Sequence, residues 1–182
     1  MYQYDATITH WINGWAGWSG MLDAFMRAAS AVGIPVLVLA VAGQWWRRDE
    51  HNLRHVLVSA GLSFALGLAF NQVILLFLHR VRPYDLGVTN LLIQRSADPS
   101  FPSDHATAGM AIAAAFLLHG RRGQGTVFLL ASVLVAVSRV FLGTHYFSDV
   151  LGGAATGLIA AWMVRALYRE GSRVDRLLTD LL

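Results

Sequence analysis

Residues 95–120 read RSADPSFPSDHATAGMAIAAAFLLHG, a polar, proline-punctuated loop that opens straight into an apolar helix. Ser103 and Asp104 are residue types that cap helices in soluble proteins, and alone they would be read as a cap. Capping does not explain His105, nor the closely spaced Pro99 and Pro102. Three polar residues where an apolar helix begins therefore raise the question of a site.

The surrounding chain sets the context. Its 182 residues are 55% hydrophobic and 14% charged, more apolar and less charged than an ordinary soluble domain. Cysteine is absent, which excludes disulfides, thiolate metal sites and cysteine nucleophiles. All 14 basic residues are arginine, and they lie between apolar runs rather than forming the groove-sized patch a nucleic acid requires. MYQYDATITH lacks the basic start and apolar core of a signal peptide. The length fits a single domain, residues 1–182.

Five apolar segments stand out, at 21–44, 56–78, 106–118, 126–142 and 150–167. A membrane span takes roughly 17–25 residues. The first two qualify readily, and the third does so only with its polar start included. One buried helix can explain one such run, but five predict an all-α, polytopic membrane bundle. Ahead of them, Trp11, Trp15 and Trp18 follow the spacing of one helical face. That pattern fits a short interfacial helix on the membrane surface, or equally a packed amphipathic lead-in.

Arginine placement predicts the orientation. Arg47, Arg48 and Arg54 follow the first segment, Arg121 and Arg122 the third, and Arg165, Arg169, Arg173 and Arg176 the fifth. With five spans these share one side, opposite Arg80, Arg82, Arg95 and Arg139. The positive-inside rule then places the larger set and the C-terminus in the cytoplasm, with the 95–105 loop outside.

Ionisable groups at membrane depth are functional candidates by default. They gather in LHRVRPYD (78–85), FPSDHATAG (101–109) and SRVFLGTHYFSDV (138–150), which an up-and-down bundle brings to one end. His145 and Asp149 are four apart, so on a helical turn the carboxylate can fix the imidazole tautomer and leave histidine as a candidate nucleophile. Ser103 and the free N–H groups of a helix start form an anion site, and His105 beside it can donate a proton to a leaving oxygen. Arg82 and Arg139 offer planar forks suited to phosphate. Each has a plainer reading alone: a cap, a headgroup anchor or a packing histidine. Zinc would need three or four converging ligands and would be repelled by the arginines, so the cluster points to an anion and to no metal. A small transporter using buried His and Asp is the rival from another class. Polar residues at helix ends rather than at the midplane disfavour it.

These residues resemble the type 2 phosphatidic acid phosphatase superfamily, whose motifs read KxxxxxxRP, PSGH and SRxxxxxHxxxD. The third is complete in Ser138, Arg139, His145 and Asp149. The second appears as Pro102-Ser103-Asp104-His105, with aspartate in place of glycine. The first keeps Arg82-Pro83, but Leu75 stands at the lysine position. Arg80 or His79 is the expected substitute for that lysine, and Asp104 is expected to turn away and pair with an arginine such as Arg95. DPSFPSDHAT further resembles the undecaprenyl-diphosphate phosphatases that confer bacitracin resistance.

The resemblance implies a cofactor-free membrane lipid phosphatase. His145 would be the nucleophile oriented by Asp149, and His105 the acid and base. Arg82, Ser103, Arg139 and the backbone at Asp104 would bind the substrate phosphate. The implied substrate is a membrane lipid phosphate, foremost undecaprenyl diphosphate, with phosphatidylglycerophosphate, phosphatidic acid or another polyprenyl phosphate as alternatives. The implied location is a bacterial inner membrane, with the site facing outward.

Overall fold

Seven helices account for most of the described chain: α1 (Tyr2–Asn13), α2 (Gly20–Ala42), α3 (Leu53–Leu75), α4 (Asp104–Leu118), α5 (Arg122–Phe141), α6 (Phe147–Leu167) and α7 (Arg173–Leu181). They come from a computed structural model that describes residues 2–47 and 52–181. Arg48, assigned above to the cytoplasmic side, lies outside the described residues. Among the described residues there is no strand.

Helices α2, α3, α5 and α6 are long and apolar enough to cross a membrane, and the chain is an integral membrane protein. Their outer faces are apolar: Leu39 is 69% exposed, Leu130 66% and Trp162 63%. Such a surface requires lipid rather than water around it. Helix α4 is shorter at 15 residues, about 22 Å of rise. It is the central post, with ten of its residues buried. It packs chiefly against α6, α5 and α3. Its run of alanines gives a thin rod that neighbours can approach closely. On α6, Gly157 faces α4 so tightly that a Cβ there would meet the Ala111 amide at 2.9 Å. Small residues on both sides thus set the helix spacing.

The connection from α3 to α4, residues 76–103, contains no helix, yet it is firmly anchored at the end of the bundle. The Ser100 amide donates to the Arg80 carbonyl at 2.8 Å, Leu92 N to Leu142 O at 3.2 Å and Ser103 N to Asp149 O at 3.1 Å. Ordered loops of this length inside compact domains are commonly functional.

Helix α1 lies at this same end, and its inner face is packed. Buried Asn13 donates to the Asn90 and Phe141 carbonyls at 2.9 and 2.7 Å, and buried Thr9 accepts from Phe147 N at 2.9 Å. Trp11 remains 68% exposed on the outer face. The expected continuous tryptophan face is not formed, because α1 ends at Asn13 and Gly17 adopts φ +87° in the following turn. Trp15 and Trp18 instead meet edge to face within that turn, 5.1 Å apart.

The opposite end carries a second polar cluster. Asp175 of α7 accepts from His55 Nδ1 at 2.8 Å, from the Tyr168 hydroxyl at 2.6 Å and from Gly171 N at 2.6 Å. His55 stacks on the Tyr168 ring at 4.7 Å, and Arg54 donates to the Thr179 carbonyl at 2.8 Å. These contacts pin α7 beneath the start of α3.

Candidate active site

The three sequence clusters meet at the loop end of the bundle. His105, Arg139 and His145 line one cavity of about 270 Å³, together with Arg82, Asp104 and Leu75. Helix α4 delivers His105 in its first turn, α5 delivers Arg139 in its last, and the 142–146 turn delivers His145 just before α6.

His145 is buried, and its Nδ1 lies 2.7 Å from the Ser100 carbonyl oxygen. A carbonyl can only accept, so the proton sits on Nδ1 and the lone pair is on Nε2. Burial, reinforced by the charges of Arg139 and Arg82, pushes this imidazole below its ordinary value despite the opposing pull of Asp149. The result is a neutral, correctly tautomerised histidine beside two cations.

Asp149 does not make the hydrogen bond expected of it. Its Oδ2 lies 3.8 Å from His145 Nδ1, within ion-pair range but beyond hydrogen-bond distance. The reason is local: Tyr146 is the N-cap of α6, so His145 lies outside the helix and four-residue helical geometry does not apply. Fully buried, Asp149 instead accepts from Tyr146 N at 2.8 Å, the Ser100 hydroxyl at 2.5 Å and Arg80 at 2.6 Å. Ser100 is therefore the link, donating to Asp149 through its hydroxyl while accepting from His145 through its carbonyl.

Arg82 donates to the carbonyls of Asp98, Thr144 and Pro99 at 2.8, 2.9 and 3.3 Å. Three of its five N–H groups thus tie the loops together, and two remain for a ligand. Arg139 donates to the Ser30 hydroxyl at 2.5 Å, while its buried Nε has no hydrogen-bond partner. Ser103 stands at the N-cap of α4, but its hydroxyl makes no capping bond and is also buried without a partner. The first N–H groups of α4 add further donors at this point. Unused donors around a neutral histidine are what a phosphate group would satisfy.

Two expectations about charge pairing are corrected. Asp104 accepts from Asn71 of α3 at 2.7 Å rather than from Arg95, which pairs with Asp85 at 2.8 Å. At the α4 start Asp104 faces α3, so a neutral amide neighbour reaches it first. Arg80 does not substitute for the missing lysine, because its guanidinium is held by Asp5 and Asp149, both at 2.6 Å. Leu75 itself lines the cavity at that place. Ser30, Asn71, Ser100 and Asp5 were not anticipated, since no local pattern marks their partners.

Among the described residues, no group of three His, Asp or Glu side chains has the geometry to hold a metal ion. A second cavity, of about 470 Å³, lies between α2 and α3 and is lined by apolar side chains including Val38, Trp45, Leu57 and Phe64. Ile112 of α4 and Leu178 of α7 complete its lining. Ile112 lies seven positions beyond His105, about 10 Å along α4 toward the end where α7 docks.

Comparison with known proteins decides the family, as the PAP2 superfamily matches residues 56–173. The chain belongs to the PAP2 superfamily. It is 32% identical over 171 residues to "Undecaprenyl-diphosphatase BcrC" of Bacillus subtilis, covering 94% of this chain and 86% of that one. To "Phosphatidylglycerophosphatase B" of the same organism it is 32% identical over 156 residues, covering 80% and 72%. Among solved structures, the transmembrane PAP2-type phosphatidylglycerolphosphate phosphatase from Bacillus subtilis shares the fold. That match has a TM-score of 0.69 at 24% identity and covers 94% of this PAP2 chain and 88% of the other.

Proposed function

We propose that this PAP2 protein is a metal-independent phosphatase of a membrane lipid diphosphate, converting undecaprenyl diphosphate to undecaprenyl phosphate for reuse as a cell-wall carrier. The observation that carries the reading is His145, with its Nδ1 proton fixed on the Ser100 carbonyl, facing a cavity ringed by Arg82, Arg139 and His105. The similarity to a protein named undecaprenyl-diphosphatase supports the head group.

In this mechanism the Nε2 lone pair of His145 attacks the terminal phosphorus. The bond to the bridging oxygen breaks, and protonated His105 gives its proton to that oxygen, releasing the lipid monophosphate. Arg82, Arg139, Ser103 and the amides near Asp104 stabilise charge on the equatorial oxygens. His105, now neutral, takes a proton from water. The hydroxide attacks phosphohistidine, the N–P bond breaks, and inorganic phosphate leaves with His145 restored.

The site belongs on the outer face of a bacterial inner membrane. Arg47, Arg54, Arg121, Arg122, Arg165, Arg169, Arg173 and Arg176 gather at the opposite end, which supports a cytoplasmic position for α7. A second reading, a phosphatase of phosphatidylglycerophosphate, is favoured by the 32% identity to the protein of that name. The test is phosphate release by purified protein in detergent with EDTA, with undecaprenyl diphosphate, undecaprenyl monophosphate and phosphatidylglycerophosphate offered in parallel. Release from the diphosphate that is lost in His145→Ala supports the proposal. Release from phosphatidylglycerophosphate alone moves the role to phospholipid synthesis, and release that persists in His145→Ala refutes the mechanism.

A further inference from the structure

We infer that Asp5 and Arg80 are positioning residues that set the charge environment of His145 by gripping Asp149 from the N-terminal helix. The inference rests on His145 being the nucleophile proposed above. Arg80 NH1 donates to Asp149 Oδ1 and to the Ser148 hydroxyl, both at 2.6 Å, and its NH2 donates to Asp5 Oδ2 at 2.6 Å. Asp5 in turn accepts from the Ser148 amide at 2.9 Å and the Ser148 hydroxyl at 2.5 Å. The guanidinium lies 3.9 Å over the Tyr146 ring. One cation therefore bridges two carboxylates and is stacked in place.

The same residue also holds the backbone that fixes the tautomer. The Arg80 carbonyl accepts from Ser100 N at 2.8 Å, and the Ser100 carbonyl accepts from His145. Side chain and main chain of Arg80 thus secure both groups that flank His145 Nδ1. Arg80 opens on a neighbouring pocket with His79 and Asp85, whereas His105, Arg139 and His145 line the other cavity. It acts through Asp149 and Ser100 rather than on phosphate. Burial opposes charge on both partners, yet bonds from Ser148 and Arg80 hold the Asp5 carboxyl below its ordinary value, and Asp5 with Asp149 holds the Arg80 guanidinium above its own.

Charge arithmetic gives opposite effects for the two residues. His145 shares its cavity with Asp104 and His105 from α4, Arg139 from α5, and Arg82 and Asp98 from the 76–103 loop, while Asp149 of α6 lies 3.8 Å from its Nδ1 with Arg80 and, from α1, Asp5 behind it. Arg80→Gln leaves Asp5 and Asp149 uncompensated, which favours protonated His145. Asp5→Asn leaves Arg80 with one counter-charge and favours neutral His145. Acting through Asp149, each change moves the His145 titration in the stated direction.

The experiment is an imidazole NMR titration of His145 in detergent micelles, on wild type, Arg80→Gln, Arg80→Lys and Asp5→Asn. It is read beside the acidic limb of the kcat/KM profile. The expected result is a midpoint raised in Arg80→Gln, lowered in Asp5→Asn and near wild type in Arg80→Lys. An acidic limb moving with the midpoint joins the effect to the reaction. Midpoints that stay fixed, or that move in the same direction in both charge variants, overturn the inference. The NMR midpoints need no turnover, so a wild type without phosphate release would fail the functional proposal separately. Arg80→Lys and the near-isosteric Asp5→Asn keep the test open if Arg80→Gln does not fold.

Discussion

Asp175→Ala should release α7 while leaving the His105–His145 end of the bundle intact. The carboxylate is buried and receives three hydrogen bonds, from His55, Tyr168 and Gly171. Its removal strands the His55 and Tyr168 donors in a site closed to water. Each buried donor left unmade costs about 1–3 kcal/mol, so the two together cost about 3–5 kcal/mol at central values. Since α7 packs mainly on α3, the loss falls on the docking of one short helix rather than on the whole bundle. At about 1.4 kcal/mol per tenfold, the lower figure raises the undocked population roughly a hundredfold. Arg173 and Arg176 lie in α7 and make trypsin the natural probe. When reclosing is fast, cleavage tracks the open population, so the rate at these arginines should rise by the same factor. Mass spectrometry of the C-terminal fragments reads it, with cuts at Arg121 and Arg122 as an internal reference. A change below tenfold would refute the claim that the Asp175 cluster holds α7.

Four further outcomes follow from the geometry. The folded-state pKa of Asp175 is depressed, with bonds from Tyr168 and His55 outweighing burial, so its stabilising contribution is present above the ordinary carboxylate value and lost as pH falls below it. Tryptic cleavage of wild-type α7 should therefore stay slow through neutral pH; with an acid-active protease, opening should begin only below about pH 4. The acidic limb of wild-type kcat/KM should lie below pH 6.5, because the depressed pKa keeps His145 neutral further into acid. Ser30→Ala removes the hydroxyl that receives Arg139 and should lower kcat/KM roughly tenfold, for about 1–1.5 kcal/mol of lost positioning. Gly157→Ala forces a Cβ against α4 and should destabilise the bundle by about 1–3 kcal/mol, seen as a lower melting temperature in detergent.

Much of the fold is legible because the bilayer imposes it. The five apolar runs became α2 to α6, since a chain in lipid must satisfy its backbone internally and helices do so locally. The run expected at 56–78 begins at Leu53 and ends at Leu75, because hydropathy averages over a window while the helix stops where the loop bonds begin. Helix α4 takes in its polar start, as the Asp104 carboxylate gains by sitting at a helix N-terminus. The gathering of His105, Arg82, Arg139 and His145 was readable because alternating spans return the same ends to one side. What stayed hidden was pairing across the sequence. Asn71 with Asp104 and Arg80 with Asp5 are tertiary choices between residues with no shared periodicity. Asp149 misled for another reason: a four-residue spacing implies contact only within a helix, and His145 lies before its N-cap.

The clasp between Ser148 and Asp5 spans 143 residues of chain. Helix α1 leaves the ribosome before its partners on α6, with four helices made in between. Exposed Trp11, Trp15 and Trp18 suit this N-terminal segment to the membrane interface. A chain halted before α6 has neither His145 nor the carboxylate that Arg80 grips. The cavity that holds His105, Arg139 and His145 therefore closes only once the start of α6 has been made, so a shorter nascent chain carries no assembled site.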